Sequence, residues 1–171
     1  MSTASKLEAN AHGKWLNDVR LFSDIKHDPE AMAHIGFLMT SKAYAPGVAI
    51  LNEGQEGHEA YFLCSGHVNV YKSVGGSERF PVAALSAKDH PFFGEAALLQ
   101  SDKRSATIIC ESACECLVLD KSRFDLFCRE KPQWALPVVL RIARVVLDRL
   151  DKTNADMILL YKALVNEVKG L

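Results

Sequence analysis

What this chain has little of already narrows it. It has no basic excess: Lys and Arg number 20, Asp and Glu 21, for a formal net charge of −1. Nucleic-acid binders draw much of their affinity from clustered cations that release counterions, so the charge gives a polyanionic partner no support. It has no long apolar run. Val145-Val-Leu147 and Met157-Ile-Leu-Leu-Tyr161 fall far short of the ~20 residues that span a bilayer. Residues 1–14 are polar and small, without an apolar leader, so the chain is expected in the cytoplasm and off the membrane. Cysteines are odd in number: Cys64, Cys110, Cys114, Cys116 and Cys128. That argues against a disulfide framework. Cys114 and Cys116 are spaced C-x-C, with no second pair at zinc spacing. In a strand they share a face and serve as small buried hydrophobes. Gly-x-Ser-x-Gly, P-loop and His-Glu-x-x-His patterns are also missing, and no enzyme is expected.

What is present fits one domain core plus accessory helices in 171 residues, 49% of them apolar. Residues 15 to about 43 read as short helices. Leu16, Val19, Phe22 and Ile25 recur at three-residue spacing. Asp28-Pro29-Glu30 is a helix start, with Asp28 as cap and Pro29 at the first position. Residues 44 to about 120 are punctuated by glycines, among them Gly47, Gly54, Gly57, Gly66 and Gly94. Between them lie short β-type segments: Ala60–Cys64, Val68–Tyr71, Phe80–Leu85, Ala106–Cys110 and Glu115–Leu119. Pro81 makes its segment an edge or bulged strand, and Gly75-Gly76 signals a hairpin turn. Many short strands with close turns mean an all-β sandwich, barrel or roll.

From Lys121 the chain reads as helical. Ser122 can cap a short helix through Arg129, and a break follows at Lys131-Pro132. A long helix then runs to Val168, with Pro137 in its first turn or at a kink. Along it Val139, Ala143, Val146, Leu150, Thr153, Met157, Leu160 and Leu164 alternate in steps of four and three, the seam of a coiled coil. A second apolar set, Leu140, Ile142, Leu147, Ile158 and Leu159, lies off that seam. Two apolar faces predict two partners, the chain's own roll and another copy, hence a homodimer. One amphipathic helix packed on its own domain is the alternative.

One constellation carries chemistry. Phe93-Gly94-Glu95-Ala96-Ala97-Leu98 lies in the β zone, and Arg104-Ser105-Ala106 follows a short polar stretch. Gly94 permits positive φ or close backbone approach. Glu95 to Leu99 can form one helical turn whose free amides face an anion. Arg104 offers a planar fork for phosphate oxygens. Glu95 repels phosphate but can accept from a sugar hydroxyl. Together these groups describe a nucleotide monophosphate site; an ordinary surface ion pair between Glu95 and Arg104 is the plain alternative.

The β zone as a whole resembles the cyclic nucleotide-binding domain family, which includes the catabolite activators and the regulatory subunits of cyclic-nucleotide-dependent kinases. Phe93–Leu98 with Arg104-Ser-Ala-Thr107 is similar to its phosphate-binding cassette. Pro46-Gly47, Ile50, Glu53-Gly54, Gly57, Tyr61-Phe62, Ser65-Gly66, Val68 and Val70 match its glycine and strand pattern, and Val19–Ser23 its helical lead-in. The likeness runs over about residues 15 to 150.

The resemblance implies an α+β chain: an antiparallel β-roll, or double-sheet jelly roll, with short N-terminal helices and a long C-terminal one. It divides the chain into a flexible 1–14, a nucleotide-binding roll over 15–130, and a helix over 131–171 that acts as lid and dimer contact. It implies that Phe93, Gly94, Glu95, Ala96, Arg104, Ser105 and Ala106 bind ligand, Glu95 at the ribose 2′-OH and Arg104 at the phosphate. Thr153 or Asn154 would cap the base. The implied ligand is cyclic AMP, with cyclic GMP as the alternative and no metal. Where the family carries Gly-x-Gly-Asp, this chain has Ser86-Ala-Lys-Asp-His-Pro-Phe92, so the approach to the cassette is altered.

Two rivals are weaker. A cupin-like metal enzyme could draw on His58, Glu59, His67 and His90, but needs a His-x-His that the sequence does not contain. A transcription factor would need a helix-turn-helix after the long helix, and no turn splits that tail, so direct DNA binding is not expected. The resulting expectation is a non-catalytic sensor that signals through helix or dimer changes to an effector protein. A degenerate fold serving as a structural interaction module is the alternative.

Overall fold

The computed structural model describes residues 12–73, 78–100 and 102–170. The Gly75-Gly76 turn signal and residues 1–11 of the N-terminal segment lie outside them. The strands follow in the order β1 (Thr40–Tyr44), β2 (Ala49–Leu51), β3 (Glu56–Gly57), β4 (Glu59–Ser65), β5 (His67–Ser73), β6 (Arg79–Ser86), β7 (Phe92–Phe93), β8 (Asp102–Lys103), β9 (Thr107–Cys110) and β10 (Cys114–Asp120); helix α1 (Pro29–Leu38) precedes them, α2 (Ala96–Leu99) lies between β7 and β8, and α3 (Lys121–Glu130) and α4 (Pro132–Lys169) follow β10.

Two four-stranded antiparallel sheets form the roll, ordered β1-β10-β4-β7 and β2-β9-β5-β6, with the small pair β3-β8 beside them. The inner strands of the first sheet, β10 and β4, are buried on both faces. In β4, Ala60 and Phe62 join the helical core while Tyr61 and Leu63 join the core between the sheets. In β10, Leu117 and Leu119 face the helices while Cys114, Cys116 and Val118 face the other sheet. Two-sided burial explains why these strands read as nearly unbroken apolar runs, since successive side chains point opposite ways. Cys114, Cys116 and Cys110 share the inter-sheet core. Burial pushes the Cys110 and Cys116 thiols up to about 12, which suits packing rather than reaction.

Strand β6 is an edge, and the register shifts opposite it between Val70 and Tyr71. Pro81 therefore sits on a strand that is both edge and bulged, where its missing amide costs least.

The helical lead-in keeps the three-residue rhythm for a reason. Val19, Phe22, Ile25 and Asp28 each donate a backbone N–H to the carbonyl three residues back, at 3.0–3.1 Å. Leu16, Val19, Phe22 and Ile25 are all buried by this chain of tight turns. Helical structure ends at Leu38, however. Residues 40–43, placed in the helical zone, form β1 with Tyr44 and pair with β10 from Thr40↔Val118 to Tyr44↔Cys114. Edge pairing to an existing strand overrides the weak local preference of Thr-Ser-Lys-Ala-Tyr.

Asp28 caps α1 as its sequence context requires, accepting from the amides of Glu30 and Ala31 at 2.9 and 3.1 Å. The cap of α3 is Asp120, not Ser122: its carboxylate accepts the Ser122 amide at 2.8 Å. Helix α4 starts at Pro132 and passes through Pro137 without ending, so Pro137 lies one turn and a half in rather than in the first turn. At 1.5 Å per residue its 38 residues span about 57 Å. Only its first third is packed: Ala135, Val138 and Ile142 are buried, and from 146 to 169 every described residue except Val165 is exposed. Of the off-seam set only Ile142 is buried; Leu140, Leu147, Ile158 and Leu159 stay exposed.

Three polar ties fix α4 to the body. The Trp134 indole N–H donates to Asp28 at 2.9 Å, Arg141 pairs with Asp24 at 2.6 Å, and Arg149 pairs with Glu95. Asp28 thus serves a cap and a tie at once. Asp28→Ala is expected to cost about 1–3 kcal/mol in urea denaturation; unchanged stability would remove both roles.

Candidate functional site

Strand β7 pairs with β4 through Tyr61↔Phe93 and Phe62↔Phe92, and the Phe93 and Tyr61 rings stack at 5.6 Å. The chain then turns at Gly94, φ +74°, and makes the single turn α2. A Cβ at Gly94 would lie 2.8 Å from Arg104 Nη1 and 3.0 Å from the Glu59 carbonyl, so glycine is required twice over, by φ and by space.

Arg104 reaches the same place from β8, which pairs with β3 (Gly57↔Asp102). Its backbone is pinned: its amide donates to the Gln55 carbonyl at 2.8 Å and its carbonyl accepts from Gly54 at 2.9 Å. Its guanidinium lies between two glycines. A Cβ at Gly57 would fall 2.1 Å from Nε and 2.4 Å from Cζ. The residue is 8% exposed. Nη1 donates to the Gly94 carbonyl at 3.3 Å, and Cζ stands 5.9 Å from the Tyr61 ring centre. Among the described residues no carboxylate forms an ion pair with it. Burial lowers its pKa, while Tyr61, Glu59 and Glu95 act in the opposite sense. Glu59, the nearby acid of β4, is engaged elsewhere, by Lys42 at 2.8 Å and by the Tyr61 hydroxyl. A guanidinium stays charged at any working pH, so this is a buried cation short of acceptors.

Glu95 is 1% exposed. Its Oε1 accepts from Arg149 of α4, and its Oε2 is buried with no hydrogen-bond partner. The surface-pair alternative is therefore not what folds. Glu95 and Arg104 are both buried and make no ion pair with each other. One is a carboxylate with a spare acceptor, the other a cation with spare donors. Two complementary deficits held on one cassette can be met by one ligand carrying a hydroxyl and an anion.

The structure brings Phe93, Gly94, Glu95 and Arg104 together. Ala96 and Ser105 are exposed at its edge, and Ala106 is half-buried. It does not bring Thr153 or Asn154 onto the cassette: both are exposed, and the Thr153 hydroxyl donates to the Arg149 carbonyl at 2.9 Å. The helix residue it does bring is Arg149, which the sequence reading missed. The signal was present, because Arg149 falls at the end of the alternating line Ala135, Val138, Ile142, Val145 that faces the body.

The altered approach loop is orderly. Ser86 caps a 3-10 turn at Ala87–Asp89, and His90 takes the left-handed conformation, φ 47°. The Ala87 amide donates to the Gly66 carbonyl, and the Pro91 carbonyl accepts from Leu63. The His90 ring lies 5.2 Å from that of Trp15. Among the described residues no three His, Cys, Asp or Glu side chains are grouped to hold a metal, and no helix is long and apolar enough to cross a membrane.

The sequence profile described as the cyclic nucleotide-binding domain matches residues 41–131, over half of the chain and all of β2 to β10. The chain belongs to the cyclic nucleotide-binding domain family. This cyclic nucleotide-binding domain is 34% identical over 111 residues to the cAMP-dependent protein kinase regulatory subunit of Hypocrea atroviridis, covering 65% of the chain and 22% of that protein. It is 33% identical over 114 residues to cGMP-dependent protein kinase 2 of Homo sapiens, covering 66% and 15%. It thus spans under a quarter of the length of either. The Thermus thermophilus catabolite activator protein superposes with a TM-score of 0.72 at 25% identity, over 82% of this chain and 62% of that one.

The Arg149–Glu95 tie invites a direct test in this domain. Arg149 is half-exposed on its side chain, 59%, so its loss is screened by solvent, yet it leaves a buried carboxylate alone. Arg149→Ala is expected to destabilise by about 1–2 kcal/mol, with most of that recovered on adding Glu95→Gln. A strictly additive double-mutant cycle would remove the coupling.

Proposed function

We propose that this domain is a non-catalytic sensor of a cyclic nucleotide, cyclic AMP first and cyclic GMP second. The observation that carries the reading is the paired deficit on the cassette: a buried carboxylate oxygen without a donor, and a buried guanidinium without an anion, framed by Gly57 and Gly94. A ribose hydroxyl donates to Glu95, and a cyclic phosphate accepts from Arg104. Phe93, Gly94 and Ala96 line that contact, with Ser105 and Ala106 at its edge. Thr153, one turn beyond Arg149, is the helix group for the base. Membership of the family and the similarity to a cAMP-dependent protein kinase regulatory subunit and to a cGMP-dependent protein kinase support the ligand class.

The proposed output is mechanical. Glu95 serves both the ligand and Arg149, so occupancy and the seat of α4 act on one carboxylate. Only contacts that differ between the two states can shift the helix. The exposed helix also fits a homodimer, whose rearrangement an effector protein would read.

Two measurements check this. In a thermal-shift panel of cyclic AMP, cyclic GMP and cyclic dinucleotides, a true ligand at ~100 times its dissociation constant stabilises the fold by roughly 2.7 kcal/mol. Arg104→Ala should weaken its binding roughly 100-fold or more. Silence across the panel would leave a structural interaction module. Separately, light scattering should give twice the 18.9 kDa chain mass for the native protein and one chain for Leu150→Glu; a native monomer would remove the dimer.

A further inference from the structure

A buried guanidinium ordinarily captures the nearest acid, because an unpaired charge away from water is costly. For Arg104 that acid is Glu59. A Cβ added at Gly94 would stand 2.8 Å from Arg104 Nη1 and 3.0 Å from the Glu59 carbonyl oxygen, so the backbone of Glu59 borders the guanidinium. Burial raises the Glu59 pKa, but hydrogen bonds from Lys42 and Tyr61 and the charges of Lys42 and Arg104 together bring it below its ordinary value. Glu59 is therefore an anion at neutral pH, within the field of Arg104. Yet the two form no ion pair.

The cause is that both Glu59 oxygens are already taken. The Lys42 ammonium donates to Oε1 at 2.8 Å, and the Tyr61 hydroxyl donates to Oε2. Two strands supply these donors. Glu59 and Tyr61 are two residues apart on β4 and share a face. Lys42 comes from β1, on the other side of β10, whose Cys116, Val118 and Asp120 pair with Lys42, Tyr61 and Glu59 in turn. Cys116, Val118 and Tyr61 all face the second sheet, and cross-strand partners share a face, so Lys42 is directed to the same side. Tyr61 serves twice: its ring lies 5.9 Å from Arg104 Cζ while its hydroxyl holds Glu59.

We propose that Lys42 and the Tyr61 hydroxyl are positioning groups that hold the Glu59 carboxylate off Arg104 and so leave the guanidinium open to phosphate. This role presupposes the nucleotide site proposed above. Without it, a phosphate would have to displace an internal carboxylate before it could take the same donors. The Lys42 and Glu59 side chains are 44% and 32% exposed, so their pair adds little stability and its loss leaves the fold standing.

The test titrates the full chain with cyclic AMP and cyclic GMP by calorimetry. Lys42→Met should weaken binding roughly 10- to 100-fold, the range of a charge-assisted hydrogen bond, and Lys42→Arg should restore it. Tyr61→Phe, which keeps the ring, should weaken binding in the same sense. Glu59→Gln should bind at least as tightly as the native protein, and should rescue both weak variants. Native affinity in Lys42→Met, or a loss that Glu59→Gln does not rescue, overturns the role of Lys42; native affinity in Tyr61→Phe overturns that of the hydroxyl. A second readout needs no nucleotide. The Arg104 Nε–H resonance, assigned by its loss in Arg104→Ala, should move in Lys42→Met and return in Lys42→Met/Glu59→Gln. A native domain that binds neither nucleotide overturns the sensor reading, and a fixed Arg104 resonance overturns the control of Glu59 by Lys42.

Discussion

The constraint on which the rest depends is the two-sided burial of β10 and β4, the inner strands of the β1-β10-β4-β7 sheet. A sheet that must be covered on both faces needs helices on one side and a second sheet on the other. The second sheet closes the roll, and the helices bring the N-terminal turns, α3 and the root of α4 onto one shared core. Strand β4 sits at the centre of this arrangement. Its Phe62 faces the helices, while its Tyr61 faces inward, stacked on Phe93 and set beneath the Arg104 guanidinium. The cassette groups are thus positioned against a strand buried on both faces, which holds a buried cation where solvent cannot satisfy it.

Much of this was legible in the residues, and the exceptions have physical causes. The strands of the central sheet announced themselves because double burial leaves no polar alternation to blur them. Asp28 and Pro29 marked α1 because a cap and a missing amide are local chemistry. Gly94 pointed to a close approach, and the Arg104 guanidinium supplies it, packing against Gly57 as well. By contrast β1 was hidden: Thr40–Tyr44 is exposed along most of its length and earns its conformation only by pairing with β10. The short β2, β3, β7 and β8 were hidden because two or three residues are too few to show a period. Ser122 looked like a cap because hydroxyls often are, but the preceding Asp120 accepts the amide with a charged oxygen.

The site divided along the same line. Glu95 and Arg104 stood out in sequence because their neighbours were distinctive. Arg149 was marked only by its place at the end of the body-facing line of α4, since its role depends on where a helix 54 residues later crosses the cassette. The helix seam met a related limit. Its first member, Val139, packs against the helical core, and spacing alone cannot tell such a position from a free one.

The root of α4 is fixed and its outer part is not. Past Arg149 some 20 residues, about 30 Å of helix, extend without support from the roll. Such a rod is a lever arm whose fulcrum is the Arg149–Glu95 contact. A tilt of about 10° at that fulcrum would carry the tip through about 5 Å, close to one helical turn. In the proposed sensor, a small adjustment around that buried carboxylate would be enlarged to a displacement that another protein surface could distinguish, with no moving part besides the helix itself.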